Sequence, residues 1–312
     1  MSDAATILQE LAGETGTLSL YPGAPYEALT LSLFADAAYG DDQSLTQALD
    51  DAGFSPLTLD GMTDGTYVNE NAAFDAWVDD LTGGEVVLAF RGTDDLSSAT
   101  GFLASLSGSA DVAGWTDTAA YYDLLSQGVA EVDAYIAANG VSLVYVTGHS
   151  LGGATTAYYL TEHPNADGTV YLGMSFGAPG ILSPGDIDLS AGFPPYSAQF
   201  YAEAAQAALD PDPRLTMFVI DEDPATYFGV KTGGVEITYD YSQTMGPSTF
   251  DLTSFLEDPA SYTQYHDLTL YMDAALNYGG LLSGAATSSD ATVSITVDAS
   301  GASATGILAF AS

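Results

Sequence analysis

Apolar positions recur along this chain in two rhythms that alternate. The first coherent element covers about Tyr26 to Leu49. In "PYEALTLSLFADAAYG" Leu29, Leu33 and Ala37 return at helical spacing, and Gly40 ends the run. Short strand-like runs follow, "FSPLTL", "FDAWV" and "EVVLAF", each bounded by Gly, Asp or Asn. From Asp117 to Asn139 the helical period comes back, with Leu125, Val129, Val132 and Ile136 on one face and Gly140 placed to stop it. "VSLVYVT" is apolar on both faces, as a buried parallel strand should be, and "LGGATTAYYLTEH" follows as a helix. "TVYLGMSFGAPG" and "LTMFVIDEDP" read as two further strands, each breaking at Gly or Asp-Pro. Alternation of strand and helix predicts an α/β fold, a mostly parallel central sheet with helices on both faces.

Composition narrows what such a fold can do. The 312 residues suffice for one large α/β domain or two small ones. Cysteine is absent, so disulfides and thiolate metal sites are excluded. Forty-two acidic residues face only Arg91, Arg214 and Lys231, for a net charge of -39. A phosphate backbone would be repelled, as would an anionic membrane surface. Such a charge also strains the compact state through self-repulsion. The opening "MSDAATILQELAGETG" has no basic residue and no apolar core, unlike a conventional signal peptide, and no apolar run reaches membrane-spanning length.

The candidate chemistry lies in "YVTGHSLGGA". Ser150 stands between Gly148 and Gly152, after a buried strand and before a helix. A serine hydroxyl needs exposure, a base and donors for an oxyanion before it attacks a carbonyl. A sharp strand-to-helix turn presents the hydroxyl and aims helix N-terminal N–H groups at the same spot, and glycines two residues either side let the turn close. Three histidines compete for the role of base. His149 adjoins Ser150 and its side chain must leave in another direction. His163, at the far end of the following helix, is roughly 18 Å away at about 1.5 Å per residue. His266, in "YTQYHDLTLYMDA", remains. The acid should lie in a turn after a strand between Ser150 and His266, where "VIDEDP" offers Asp221, nearer the strand end, and Asp223, stiffened by Pro224. Serine, acid, histidine is also the chain order of α/β-hydrolase triads.

Taken together, "FADAAYG", "VVLAFRGT", "VYVTGHSLGGA", "MSFGAPG", "VIDEDP" and "YHDLTLY" resemble the class 3, fungal-type lipases of the α/β-hydrolase fold, in family order from about residue 28 to 275. The resemblance implies Ser150 as nucleophile, Asp223 as acid and His266 as base. It implies an oxyanion hole from the backbone N–H groups of Thr93 and Leu151, with Arg91 bracing the turn. It also implies a lid after the oxyanion turn, at about 95–115, whose Phe102, Leu103, Leu106, Val112 and Trp115 would cover an acyl pocket. The chain departs from the family in lacking cysteine, in the long segment 181–213 and in its Gly/Ala/Ser/Thr-rich end.

The expected organisation is a hydrolase domain over 1–280 and an appendage over 281–312, read as an extra strand pair or an export signal. The expected activity is hydrolysis of neutral acyl esters such as glycerides through a serine acyl-enzyme, with no cofactor and no catalytic metal, and with room left for a structural calcium. Rival readings are a phospholipase, serine peptidase or acyltransferase on the same scaffold, or an inactive acidic surface or binding protein. The expected partner is a neutral ester or lipid, with no nucleic acid and no transmembrane segment. Export without an N-terminal signal peptide, or residence in the cytoplasm of a salt-adapted organism, would each suit the composition.

Overall fold

Strand β4 (Glu85–Phe90) shows how the sheet is built. Val86, Leu88 and Phe90 point into one apolar cluster, while Val87 and Ala89 point into a second on the opposite face. Strand β5 (Leu143–His149) divides its side chains in the same way, Val144 and Val146 to one face and Tyr145 to the other. A strand with both faces covered must be apolar throughout, which is what the sequence shows. The computed structural model describes residue 20 and residues 22–24, 26–40, 43–80, 82–93, 116–165, 168–186, 196–241, 264–283, 292–299 and 302–308.

Helices α1 (Glu27–Ala37) and α2 (Gln43–Asp51) lead into β1 (Phe54–Pro56), β2 (Thr66–Asn69), β3 (Ala72–Asp79) and β4. Then come α3 (Thr118–Asn139), β5, α4 (Leu151–Glu162), β6 (Val170–Phe176), α5 (Ala198–Leu209) and β7 (Asp212–Ile220). A 3₁₀ turn at Pro224–Tyr227, β8 (Gly233–Asp240), a second 3₁₀ turn at Gln264–His266, α6 (Leu268–Ser283), β9 (Thr292–Ala299) and β10 (Ala302–Leu308) complete the order. The sheet runs β1-β3-β4-β5-β6-β7-β8-β9-β10, with β2 also paired to β3. From β4 to β8 every pairing is parallel. At the margins β3 is antiparallel to β4, and β9 and β10 add an antiparallel pair beyond β8.

Helices α1, α2 and α6 cover one face over Trp77, Phe176, Phe218 and Tyr239, and α3 and α4 cover the other over Phe74, Phe90 and Val146. The element expected over Tyr26–Leu49 is therefore two helices, separated at Gly40. Helix α1 is buried nearly all round and satisfies its own hydroxyls internally, Ser32 Oγ donating to Leu29 O and Thr30 Oγ to Tyr26 O. Thr147 Oγ donates to Leu31 O and ties α1 to β5 just below the serine turn. Residues 181–213 contain α5, and β2 and β8 add strands beyond those the residue pattern predicts. The lid expected at 95–115, with Phe102, Leu103, Leu106, Val112 and Trp115, lies outside the described residues. Among the described residues no helix is long and apolar enough to cross a membrane.

Candidate active site

Ser150 sits where β5 becomes α4, with φ 58° and ψ -131°. A positive φ in a non-glycine residue is strained and has to be held by its surroundings. Gly148 and Gly152 are what allow it. A Cβ on Gly152 would lie 2.0 Å from Phe90 O, and one on Gly148 would lie 2.4 Å from the Gly152 carbonyl. Strand, turn, helix and the end of β4 thus pack backbone against backbone. Ser150 N–H donates to Phe176 O, which anchors the turn to β6. Serine is a favoured helix N-cap, yet Ser150 Oγ makes no capping hydrogen bond to α4. It meets His266 Nε2 at 2.8 Å instead.

His266 ends the second 3₁₀ turn and is buried. Its Nδ1 lies 2.9 and 2.8 Å from the two carboxylate oxygens of Asp223. A carboxylate only accepts, so Nδ1 carries the hydrogen and Nε2 presents its lone pair to Ser150 Oγ. Asp223 is fully buried and opens the Pro224–Tyr227 turn, where its Oδ1 accepts from Ala225 N–H at 2.9 Å. Its Oδ2 accepts from Tyr271 Oη–H at 2.5 Å. Burial first, then the charge of Asp223, hold the Tyr271 phenol well above its ordinary pKa, so it remains a donor. The carboxylate is therefore oriented and served by three donors. Asp221 is exposed, and its carbonyl accepts from Tyr227 Oη–H; of the two aspartates left open by the residue pattern, it is Asp223 that the fold brings to His266.

Thr93 and Leu151 are both buried beside the turn. Leu151 opens α4, where helix N–H groups have no intrahelical acceptor. The Arg91–Thr93 segment follows β4 directly onto Ser150: a Cβ on Gly92 would lie 3.0 Å from Ser150 Cβ and 2.5 Å from His149 O. Arg91 N–H donates to Ala73 O and its Nη2 to Asn71 O, which holds this segment to β3. His163, at the far end of α4, engages Asp133 Oδ2 at 3.1 Å and Tyr159 O at 2.8 Å. Two partners of the site carry no signal in the sequence. Tyr271 stands five residues after His266, and no local pattern signals that its hydroxyl reaches Asp223. His149, whose side chain leaves the turn away from Ser150 Oγ, donates to His266 O. Among the described residues no group of three or more His, Cys, Asp or Glu side chains is arranged to hold a metal ion.

A Ser150–His266–Asp223 arrangement at the carboxyl ends of a parallel sheet defines a serine hydrolase of the α/β-hydrolase fold. Within that class the chain resembles the class 3 lipases: the model of that family, Lipase (class 3), matches residues 87–193, from β4 through the serine turn and β6. The solved structures it is similar to include lipase II from Rhizopus niveus, at 18% identity over 69% of this chain and 80% of that one, with a TM-score of 0.45. Others are a lipase from Rhizopus microsporus var. chinensis (17% identity, 67% and 70% covered, TM-score 0.43) and Lip2 lipase from Yarrowia lipolytica (14%, 67% and 76%, 0.40). No curated protein sequence matches the chain.

Proposed function

We propose that this protein is a serine carboxylic ester hydrolase, a lipase or esterase, that cleaves neutral acyl esters such as glycerides through a Ser150 acyl-enzyme. The observation that carries the reading is the 2.8 Å contact between His266 Nε2 and Ser150 Oγ, with Asp223 behind the ring. His266 takes the Ser150 proton as Oγ attacks the ester carbonyl. The N–H groups of Thr93 and Leu151 stabilise the oxyanion, an effect on the order of 10²–10³ in kcat for one donor. Asp223 holds the tautomer and stabilises the imidazolium, which then protonates the leaving alcohol. Water, deprotonated by the same ring, releases the carboxylate. No step calls for a cofactor. The net charge of -39 favours a neutral substrate and expulsion of the anionic product.

The test is a panel of p-nitrophenyl esters and neutral glycerides of rising chain length, run beside anionic phospholipids and peptide substrates, with Ser150→Ala as control. Ester turnover that disappears in S150A supports the proposal. Turnover of peptides or phospholipids alone would move the chain to a rival activity on the same scaffold, and no turnover with an unreactive Ser150 would favour a binding role.

A further inference from the structure

His149 is buried immediately before Ser150, and the acyl-transfer steps above do not use it. Its Nε2 lies 2.9 Å from the backbone carbonyl of His266, and its Nδ1 lies 2.9 Å from the Tyr39 hydroxyl. A carbonyl can only accept. Nε2 therefore carries the ring hydrogen, Nδ1 is bare, and Tyr39 Oη–H donates to it. The two hydrogen bonds define one tautomer of a neutral ring. Its centroid lies 4.7 Å from that of His266.

Three segments meet at this side chain. β5 ends at His149, directly before Ser150. The turn that carries His266 accepts its hydrogen bond. The Arg91–Thr93 segment closes over it, because a Cβ on Gly92 would lie 2.4 Å from Tyr39 Oη and 2.5 Å from His149 O. His149 thus ties the backbone of the base to the residue next to the nucleophile, across 117 positions of sequence. A second charge here would oppose the imidazolium that forms on His266 during acyl transfer. Burial, followed by the proximity of His266, lowers the His149 pKa well below the ordinary histidine value and keeps the ring neutral.

We propose that His149 is a positioning residue: as the neutral Nε2–H tautomer it fixes the main chain of His266, and so the aim of His266 Nε2 at Ser150 Oγ, while Tyr39 selects that tautomer. The proposal rests on the serine-hydrolase reading. It deepens that reading by making the Tyr39–His149 pair part of base alignment.

The experiment measures kcat and KM on a short soluble ester, and the second-order rate of Ser150 labelling by a fluorophosphonate, in Tyr39→Phe, His149→Phe, His149→Gln and the Y39F/H149F double variant. Losing the tether lets the base drift by a fraction of an ångström, so kcat and labelling should fall about 30–100-fold in H149F at unchanged KM. Y39F should fall several-fold. It should add nothing in the H149F background, because the tautomer it selects is gone. H149Q, whose amide N–H can reach the same carbonyl, should recover most of the loss. Folded H149F with kcat and labelling within twofold of wild type would overturn the proposal, as would additive effects of Y39F and H149F. If H149F does not fold, the comparison of Y39F with H149Q decides: unchanged kcat in Y39F sinks the proposal. Failure of the ester reading would look different. Wild type would then turn over no ester, while labelling would still fall in the variants if His149 aims the base.

Discussion

Gly152→Ala is the most exacting probe of how the turn that carries Ser150 is assembled. The added Cβ would fall 2.0 Å from Phe90 O, 2.8 Å from Phe90 C and 2.9 Å from Arg91 C. An ordinary carbon-to-carbonyl-oxygen approach is about 3.3 Å, so α4 and the end of β4 must separate by roughly 1.3 Å. All the close atoms are backbone, so no side-chain rotation relieves the overlap. The separation pulls Leu151 and Ser150 away from the Arg91–Thr93 segment, and hence pulls apart the two proposed oxyanion donors. Misplacement by about 1 Å at a reacting centre costs on the order of 10²-fold in rate. Overpacking of this kind costs about 1–3 kcal/mol of stability, or several degrees of Tm in a domain this large. G152A should therefore be folded at 25 °C, with kcat and fluorophosphonate labelling lowered about 100-fold and KM changed little. Gly84→Ala is the control. Its Cβ would meet nothing closer than Ser142 Oγ at 3.6 Å, and its kinetics should match wild type. A folded G152A with wild-type kcat would refute the claim that backbone contact at this glycine sets the site geometry.

Other consequences are independent of that glycine. Glu222 is fully buried beside Asp223, and burial, with Asp240 facing it, raises its pKa from 4.5 to about 7. The folded chain therefore holds a proton that the unfolded chain releases. The Glu222 contribution to stability is therefore greatest below pH 4.5 and declines as pH rises to 7, by about 3 kcal/mol at full value and about 1–2 after solvent screening. Glu222→Gln should raise Tm at pH 8 and leave it unchanged near pH 4; equal Tm gains at both pH values would contradict this. Buried Asp75, raised to about 6, acts in the same direction, and Arg91 opposes its shift. Tyr271→Phe removes one donor to the Asp223 carboxylate, a charge-assisted bond of about 1.5–3 kcal/mol, and should slow kcat about tenfold without abolishing it. Self-repulsion at a net charge of -39 predicts that molar NaCl raises Tm; a flat response would remove that term.

Much of this organisation is legible in the chain because its signals are local. The two-faced apolar character of "EVVLAF" and "VSLVYVT" encodes parallel strands, and Gly148-His149-Ser150-Leu151-Gly152 encodes a turn whose steric demand falls within five residues. His266 is legible because histidine is scarce. Asp223 was harder, since in a chain with 42 acids the choice between it and Asp221 is made by the direction of the backbone after β7. Tyr39, His149 and Tyr271 act through contacts spanning 110, 117 and 48 positions, and no period or turn residue marks such pairs. Helix α5 is illegible for another reason. Phe200 is its only buried residue, so it writes little apolar rhythm into the sequence.

The proposed chemistry requires Ser150 to be an activated nucleophile. Treatment of the native protein with a fluorophosphonate, followed by peptide mapping, tests it directly. One adduct is expected, on the peptide carrying Ser150, with ester turnover lost in proportion and labelling abolished in His266→Ala. An unmodified Ser150 in protein whose esterase activity survives both the reagent and Ser150→Ala would contradict it.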